Sequence, residues 1–255
     1  MYVDVLGADG GKHSGSSLVA MKVGPSLLID AGSAASLRDD EQRTIEVVLL
    51  THAHLDHILE LGFVADAAAS LRDAPLRVLG SHAALQAVRT HYMNDLVWPD
   101  FSRIRTTHGP AIVYETIEDR VWMDLPGGLS AMPVPVNHGA GARGFLLRSP
   151  GGRAAIYTGD TGPSTEIWER ARELPDIAMI IAEVSFPDSM TDLAIASDHL
   201  TPGLLERELR VLDRPGAPIY AFHLKPWYRQ EIDRDLSRRL GDRAVLLMRG
   251  DRLEF

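Results

Sequence analysis

The chain has 255 residues and no cysteine, and its formal net charge is −9, from 26 Lys and Arg against 35 Asp and Glu. This length can bury a substantial core, and no linker or low-complexity tract divides it, so we expect one domain spanning residues 1–255. The acidic balance disfavours long nucleic acids as partners. The lack of cysteine excludes disulfides and thiolate metal ligands. With neither a signal peptide nor an apolar run of about 18 residues, we expect a cytoplasmic protein without a membrane role.

The first half of the chain predicts a block of strands followed by helices. Short apolar runs separated by glycine turns predict strands at 2–6, 17–23, 27–30 and 45–51. Apolar residues at helical spacing then predict helices at 58–71 and 82–92, with a strand at 76–79 between them.

The second half repeats this order. Strands are predicted at 112–117, 121–125, 129–136, 144–148 and 154–158, with Pro-Gly-Gly turns among them. Helices at 164–173, 202–212 and 229–240 then alternate with strands at 177–182, 219–222 and 244–248. Two such halves predict an α/β fold in which sheet packs on sheet with helices outside, a four-layer αββα sandwich with two pseudo-symmetric halves.

A dense group of metal-competent side chains follows the apolar strand at 45–51: His52, His54, Asp56 and His57. In extended backbone, positions 52, 54 and 56 point the same way, and the turn into a helix carries His57 to a second position. Imidazole and carboxylate ligands suit Zn, Fe or Mn, and a bridging carboxylate would hold two ions roughly 3.5–4 Å apart. A lone histidine is usually structural, but this density predicts a metal site.

The pattern HxHxDH resembles the signature of the metallo-β-lactamase superfamily. Three further residues occur at predicted strand ends in the order that the resemblance requires: His138 in VNHG, Asp160 in TGDTG and His223 in AFHLKP. The resemblance implies that His52, His54 and His138 hold one divalent ion and that Asp56, His57 and His223 hold another. Asp160 and a hydroxide would bridge them. Zn is the expected metal, with Fe and Mn as alternatives.

Longer segments resemble class II 3′,5′-cyclic-nucleotide phosphodiesterases. They are THAHLDHILELGFV, LGADGGKHSGSSLV, YMNDLVWPDF, EVSFPD and SDHLTP, spread from residue 6 to residue 226. Each segment alone also has a plain structural explanation, such as a glycine turn or a helix cap. Together they imply hydrolysis of cyclic AMP, cyclic GMP or both to nucleoside 5′-monophosphates, with the bridging hydroxide as nucleophile. A small-molecule cyclic nucleotide is thus the expected partner, and the superfamily suggests a homodimer.

The expected catalytic residues are His199 and Asp56, with His199 as the proton donor to the departing 3′ oxygen. The alternative role of His199 is that of a residue at a helix start. Thr51, Glu183 and Ser185 are candidates for orienting the ligand imidazoles. Lys225 would either approach phosphate or remain solvated. The other histidines, His13, His82, His91 and His108, have no comparable context.

Other functions remain open at this stage. A tRNA 3′-processing nuclease would carry the same ligands, although the chain lacks the basic arm that such an enzyme needs. A lactamase or thioester hydrolase is disfavoured by the late EVSFPD and SDHLTP segments. A non-catalytic cyclic-nucleotide-binding relative would have lost a ligand, and none is missing. No segment is assigned to base recognition.

Overall fold

The computed structural model describes residues 1–139, 141–214 and 216–255, which form two seven-stranded sheets, a two-stranded ribbon and flanking helices. The strands are β1 (Tyr2–Gly7), β2 (Ala20–Val23), β3 (Leu27–Ile29), β4 (Val47–Leu49), β5 (Leu76–Gly80), β6 (Arg105–Thr106), β7 (Gly109–Pro110), β8 (Ile112–Thr116), β9 (Met123–Asp124), β10 (Ser130–Pro135), β11 (Arg143–Arg148), β12 (Ala154–Tyr157), β13 (Ile177–Glu183), β14 (Ile219–Phe222), β15 (Ala244–Leu246) and β16 (Arg252–Glu254). The α-helices are α1 (Asp39–Thr44), α2 (Leu55–Ile58), α3 (Leu61–Leu71), α4 (His82–Ala87), α5 (Glu166–Ala171), α6 (Thr191–Ala196), α7 (Pro202–Leu212) and α8 (Arg229–Leu240).

The two large sheets share one topology. The first has the order β16-β1-β2-β3-β4-β5-β8 and the second the order β15-β14-β13-β12-β11-β10-β9. In each, one half is antiparallel (β1 to β3, β9 to β12) and the other is parallel (β3 to β8, β12 to β15). This repeat confirms the predicted sandwich and its two pseudo-symmetric halves. The C-terminal strand β16 returns to pair with β1, so the last residues complete the first sheet.

Three buried clusters correspond to the three interfaces between the four layers. The central cluster joins the inner faces of the sheets and includes Val5, Phe145 and Tyr157. The outer clusters place α3 against the first sheet, and α5, α7 and α8 against the second. Parallel strands such as β4 and β12 are buried along their whole length, as strands covered on both faces must be. Parallel strands also end at a common edge, and every strand that leads into a candidate ligand ends there.

Some predicted elements were wrong in extent, and others were missed. The helix predicted at 82–92 changes at Val88 into a π-helical turn that ends at Tyr92, and the strand predicted at 121–125 is only Met123–Asp124. The missed elements include α1, α6, β16 and the two strands of the ribbon, β6 and β7. Helix α1 has the sequence DDEQRT and buries no residue, so it lacks the apolar periodicity by which helices are predicted. Among the described residues, none of the helices is both long and apolar enough to span a membrane.

Candidate metal centre

The candidate ligands lie where the parallel strands of both sheets end. His52 follows β4, Asp160 follows β12 and His223 directly follows β14. His54 is still extended (φ −66°, ψ 148°) and is the last residue before α2, which carries Asp56 and His57 in its single turn. Because extended backbone gives way to helix at this point, four side chains from a span of six residues face one volume.

The first group of ligands is His52, His54 and His138, whose nearest nitrogen atoms all lie within 4.8 Å of one another. His138 Nε2 is 3.1 Å from His54 Nδ1. Tetrahedral Zn with Zn–N bonds of 2.0–2.1 Å separates its donor atoms by about 3.3 Å. The spacing of this pair therefore fits two ligands of one ion, with His54 offering Nδ1.

The second group is Asp56, His57 and His223, again within 4.8 Å of one another. His223 Nε2 lies 3.2 Å from Asp56 Oδ2. Asp160 lies between the two groups. Its Oδ2 atom is 3.2 Å from His57 Nε2 and 3.0 Å from His223 Nε2, and it is 3.8 Å from His52 Nε2 and 3.9 Å from His138 Nε2. The structure therefore brings all seven predicted ligands into one cluster, with Asp160 Oδ2 between the two groups.

Unpartnered atoms in this cluster test whether it fits metal ions. Among the described residues, His52 Nε2, His57 Nε2 and Asp160 Oδ1 are buried without a hydrogen-bond partner. A buried polar atom without a partner costs free energy, so each such atom in a native site needs an explanation. These imidazole nitrogens and the carboxylate oxygen face one volume, and their lone pairs could bind divalent cations there. A set of N and O donors suits Zn, Fe or Mn.

A buried carboxylate fixes the ring orientation of the two histidines nearest the first sheet. Asp30, which follows β3, accepts a hydrogen bond from His57 Nδ1 at 2.7 Å. It also accepts hydrogen bonds from the backbone N–H and the hydroxyl of Thr51, both at 2.8 Å. Thr51 Oγ1 in turn lies 3.0 Å from His52 Nδ1. In the neutral form of each ring, donation from Nδ1 leaves a lone pair on Nε2 of His57 and His52, which is the form that a metal ion requires.

The second sheet repeats this arrangement around Glu183, at the end of β13. Glu183 Oε1 is 2.9 Å from His199 Nδ1, and Glu183 Oε2 accepts the hydroxyl proton of Ser185 at 3.1 Å. Ser185 Oγ lies 2.8 Å from His223 Nδ1. Each sheet thus supplies a carboxylate, a hydroxyl and two histidines. Thr51, Glu183 and Ser185 were predicted in this orienting role, whereas Asp30 was missed.

His138 is held by a backbone group. Its Nδ1 donates to the carbonyl of Asp198 at 2.9 Å. Asp198 has φ +54°, a left-handed conformation that aspartate tolerates. The next residue, His199, stacks on His223 with ring centroids 5.2 Å apart, and its ring lies 4.9 Å from that of His138. His199 therefore borders both ligand groups.

The glycine-rich opening of the chain packs against His223. A Cβ added at Gly10 would lie 2.5 Å from the His223 carbonyl oxygen and 2.6 Å from its ring. Gly10 N donates to Leu224 O at 3.0 Å. The Lys225 ammonium donates to Gly10 O at 2.6 Å, so it is engaged with this loop. The histidines that were assigned no role, His13, His82, His91 and His108, are in none of the candidate metal groups of the described residues.

The cluster is strongly charged in the absence of ions. Burial alone would lower the pKa of His57, but Asp160 and Asp30 outweigh it and hold that pKa well above its ordinary value. Asp160 likewise raises the pKa of His223 against the effect of burial. For His52, burial dominates and the pKa falls well below its ordinary value. The buried carboxylates therefore favour the protonated forms of His57 and His223.

Comparisons with known proteins identify the family and agree with the fold. The profile of the family described as "Beta-lactamase superfamily domain" matches residues 25–223. The chain is 27% identical over 244 residues to a 3′,5′-cyclic-nucleotide phosphodiesterase of Schizosaccharomyces pombe, covering 83% of this chain and 67% of the relative. It is 26% identical over 284 residues to a probable 3′,5′-cyclic-nucleotide phosphodiesterase of Yersinia pestis, covering 98% and 80%. The crystal structure of unliganded yeast PDE1 superposes with a TM-score of 0.82 at 16% identity, covering 100% of this chain and 99% of that one.

Proposed function

The chain belongs to the β-lactamase superfamily, and from that premise we propose that it is a metal-dependent phosphodiesterase that opens 3′,5′-cyclic nucleotides to nucleoside 5′-monophosphates. The observation that carries the proposal is the cluster of seven side chains whose inward atoms include three that lack protein partners. The names of the two relatives at 26–27% identity supply the substrate class.

We propose two metal positions in this cluster. His52, His54 and His138 would hold one ion, Asp56, His57 and His223 the other, and Asp160 both. Divalent ions bound there, most simply Zn, would supply a water of low pKa as nucleophile and positive charge for the attacking and leaving oxygens of an in-line displacement. Asp56 would act at the reacting centre as one of these ligands.

His199 is the proposed proton donor. Its Nδ1 faces the Glu183 carboxylate at 2.9 Å, so Nε2 is the atom free to hold a proton. The ring stacks on His223 and forms a candidate group with His138 and Asp160, so His199 lies directly beside the proposed ligands. Protonation of the departing 3′ oxygen needs such a group, because an alkoxide is a poor leaving group at neutral pH.

The test is hydrolysis of cyclic AMP and cyclic GMP by protein of measured metal content, with the product identified by ³¹P NMR. The expected product is the 5′-monophosphate. His52→Gln should lose metal and turnover together, while the exposed His91→Gln serves as the matched control. Turnover no higher than that of metal-stripped protein would refute an enzymatic function. Faster cleavage of a tRNA precursor would favour the nuclease alternative.

A further inference from the structure

Helices α2 and α3 present apolar side chains to solvent as well as to the core. Leu55, Leu59 and Phe63 follow one another at intervals of four residues and are between 38% and 60% exposed. The opposite side of the same helices packs on the first sheet through Ile58, Leu61 and other buried residues. A surface helix normally turns polar residues outward. A line of exposed apolar residues therefore indicates a binding surface.

A loop extends this surface. The Asn94 side chain accepts hydrogen bonds from the backbone N–H groups of Leu96 and Val97, at 3.0 and 2.9 Å, and so fixes the turn that exposes both residues. Trp98 contacts Phe63 edge to face, with ring centroids 4.8 Å apart. We call Leu55, Leu59, Phe63, Leu96 and Val97 the apolar wall.

Tyr92 and Gly62 make the contacts that hold the loop against the helices. The Tyr92 hydroxyl donates to Leu59 O at 2.8 Å and accepts from Gly62 N at 3.2 Å. A Cβ at Gly62 would come within 2.6 Å of the Trp98 ring, so the close approach of helix and loop requires glycine there. These contacts hold the apolar wall in place, and the segment YMNDLVWPDF supplies two of its five residues.

The apolar wall begins at the metal centre. Leu55 lies in the chain between His54 and Asp56, which are the two ligands with solvent exposure, whereas the other five are buried. The centre is therefore open on the side of Leu55. Leu59 directly follows α2 and Phe63 lies in the first turn of α3, so the exposed apolar side chains continue along the chain from Leu55, away from the ligand residues. A nucleoside whose phosphate occupies the centre would have its base on this open side.

We propose that the apolar wall binds the nucleobase of the substrate, and that Leu55 and Leu59 make the main contacts. This inference rests on the proposed function. None of the five side chains carries a hydrogen-bonding group. Binding free energy at the apolar wall would therefore come from removing apolar surface from water, and the wall would form no hydrogen bonds with the edge of the base. It would therefore accept adenine and guanine alike, because strong discrimination requires hydrogen bonds to the groups that differ.

The experiment compares cyclic AMP with a base-free analogue, methyl riboside 3′,5′-cyclic phosphate, in Leu55→Gln and Leu59→Gln proteins of verified metal content. Both variants should raise KM for cyclic AMP about tenfold, the scale of one lost leucine contact, with kcat nearly unchanged. KM for the base-free analogue should change less than twofold. The matched control is Val245→Gln, because Val245 is also exposed, on the distant edge strand β15.

Several results would overturn the inference while leaving the proposed function intact. Equal losses on both substrates, or no loss on either, would exclude a base site. A wild-type dimer that becomes monomeric in Leu59→Gln, without any selective loss on cyclic AMP, would assign the apolar wall to a second copy of the chain. A wild-type preference of more than a hundredfold for one purine would contradict the absence of edge recognition. Wild-type protein that hydrolyses neither substrate would refute the proposed function itself, and this inference with it.

Discussion

The carboxylate of Asp30, which follows strand β3, and the imidazole of His57, in helix α2, form a fully buried hydrogen bond of 2.7 Å. The same carboxylate reaches His52 through Thr51. One residue outside the proposed ligand set thus orients a ligand of each proposed ion.

Asp30→Asn should weaken metal binding. Asparagine tolerates the positive φ of this position, +58°, so the fold should persist. Without the carboxylate as hydrogen-bond acceptor, the His57 imidazole is less basic and its ring is free to turn. Such a loss typically lowers metal affinity roughly 10–100-fold. Competition with a chelator of known affinity measures the effect, and exposed Asp39→Asn is the control. Unchanged affinity would mean that Asp30 only fills space.

His199→Ala should separate binding from chemistry. If His199 donates the proton, the variant keeps its metal and loses roughly 10²–10⁴-fold in kcat. His223→Ala, in contrast, should lose metal as well. A substrate with a leaving group of low pKa, such as a 4-nitrophenyl phosphodiester, should largely rescue His199→Ala because that leaving group needs no proton. Loss of metal in His199→Ala would instead identify this histidine as a ligand.

Residues that form a local pattern could be predicted from the sequence. HAHLDH concentrates four ligand-type side chains after an apolar strand, and the other three ligands follow predicted strands, so chain position alone placed them at one edge of the sheets. The fold followed from strand blocks and helices that occur twice.

Asp30 could not be identified in this way. It is a single carboxylate at the end of a predicted strand, 22 residues before His52, and it acts only because β3 and β4 pair in parallel. Had that pairing been inferred, an aspartate ending the strand beside the ligand strand would have been a candidate. The exposure of Leu55, Leu59 and Phe63 could not be predicted either. Helical periodicity identifies the buried side of a helix, and it does not reveal what the other side contacts.

Gly10→Ala should displace His223. The added methyl group would lie 2.5 Å from the His223 carbonyl oxygen and 2.6 Å from its ring. The backbone at the end of β14 and the hydrogen-bonded imidazole could move away only at a substantial cost in free energy. His223 itself has φ +63°, so its backbone has few alternatives. We expect one of the two proposed ions to bind at least tenfold more weakly, as measured by metal stoichiometry under chelator competition. Gly151→Ala, where the nearest atom is 3.9 Å away, should have no effect.

Metal affinity should rise with pH. Against the effect of burial, Asp160 raises the pKa values of His57 and His223 above the ordinary 6.5, with Asp30 adding to the effect on His57, so these rings hold protons to higher pH than a free imidazole does. An ion must displace these protons, and each one displaced increases apparent affinity about tenfold per pH unit until the pH passes the raised pKa. In the metal-free protein, the same protons stabilise the fold fully below pH 6.5, and this contribution is lost as the pH rises through the raised pKa values.

Two measurements check this dependence together. Chelator competition between pH 6.5 and 8 should give a rising affinity, and thermal unfolding of the metal-free protein over the same range should give a falling midpoint. Asp30→Asn supplies the internal control, because Asp30 is one of the two carboxylates that raise the His57 pKa. Its affinity should therefore depend less steeply on pH than that of the wild type. An affinity that stays constant over this range would show that the ligands are already deprotonated, and would contradict the raised pKa values of His57 and His223.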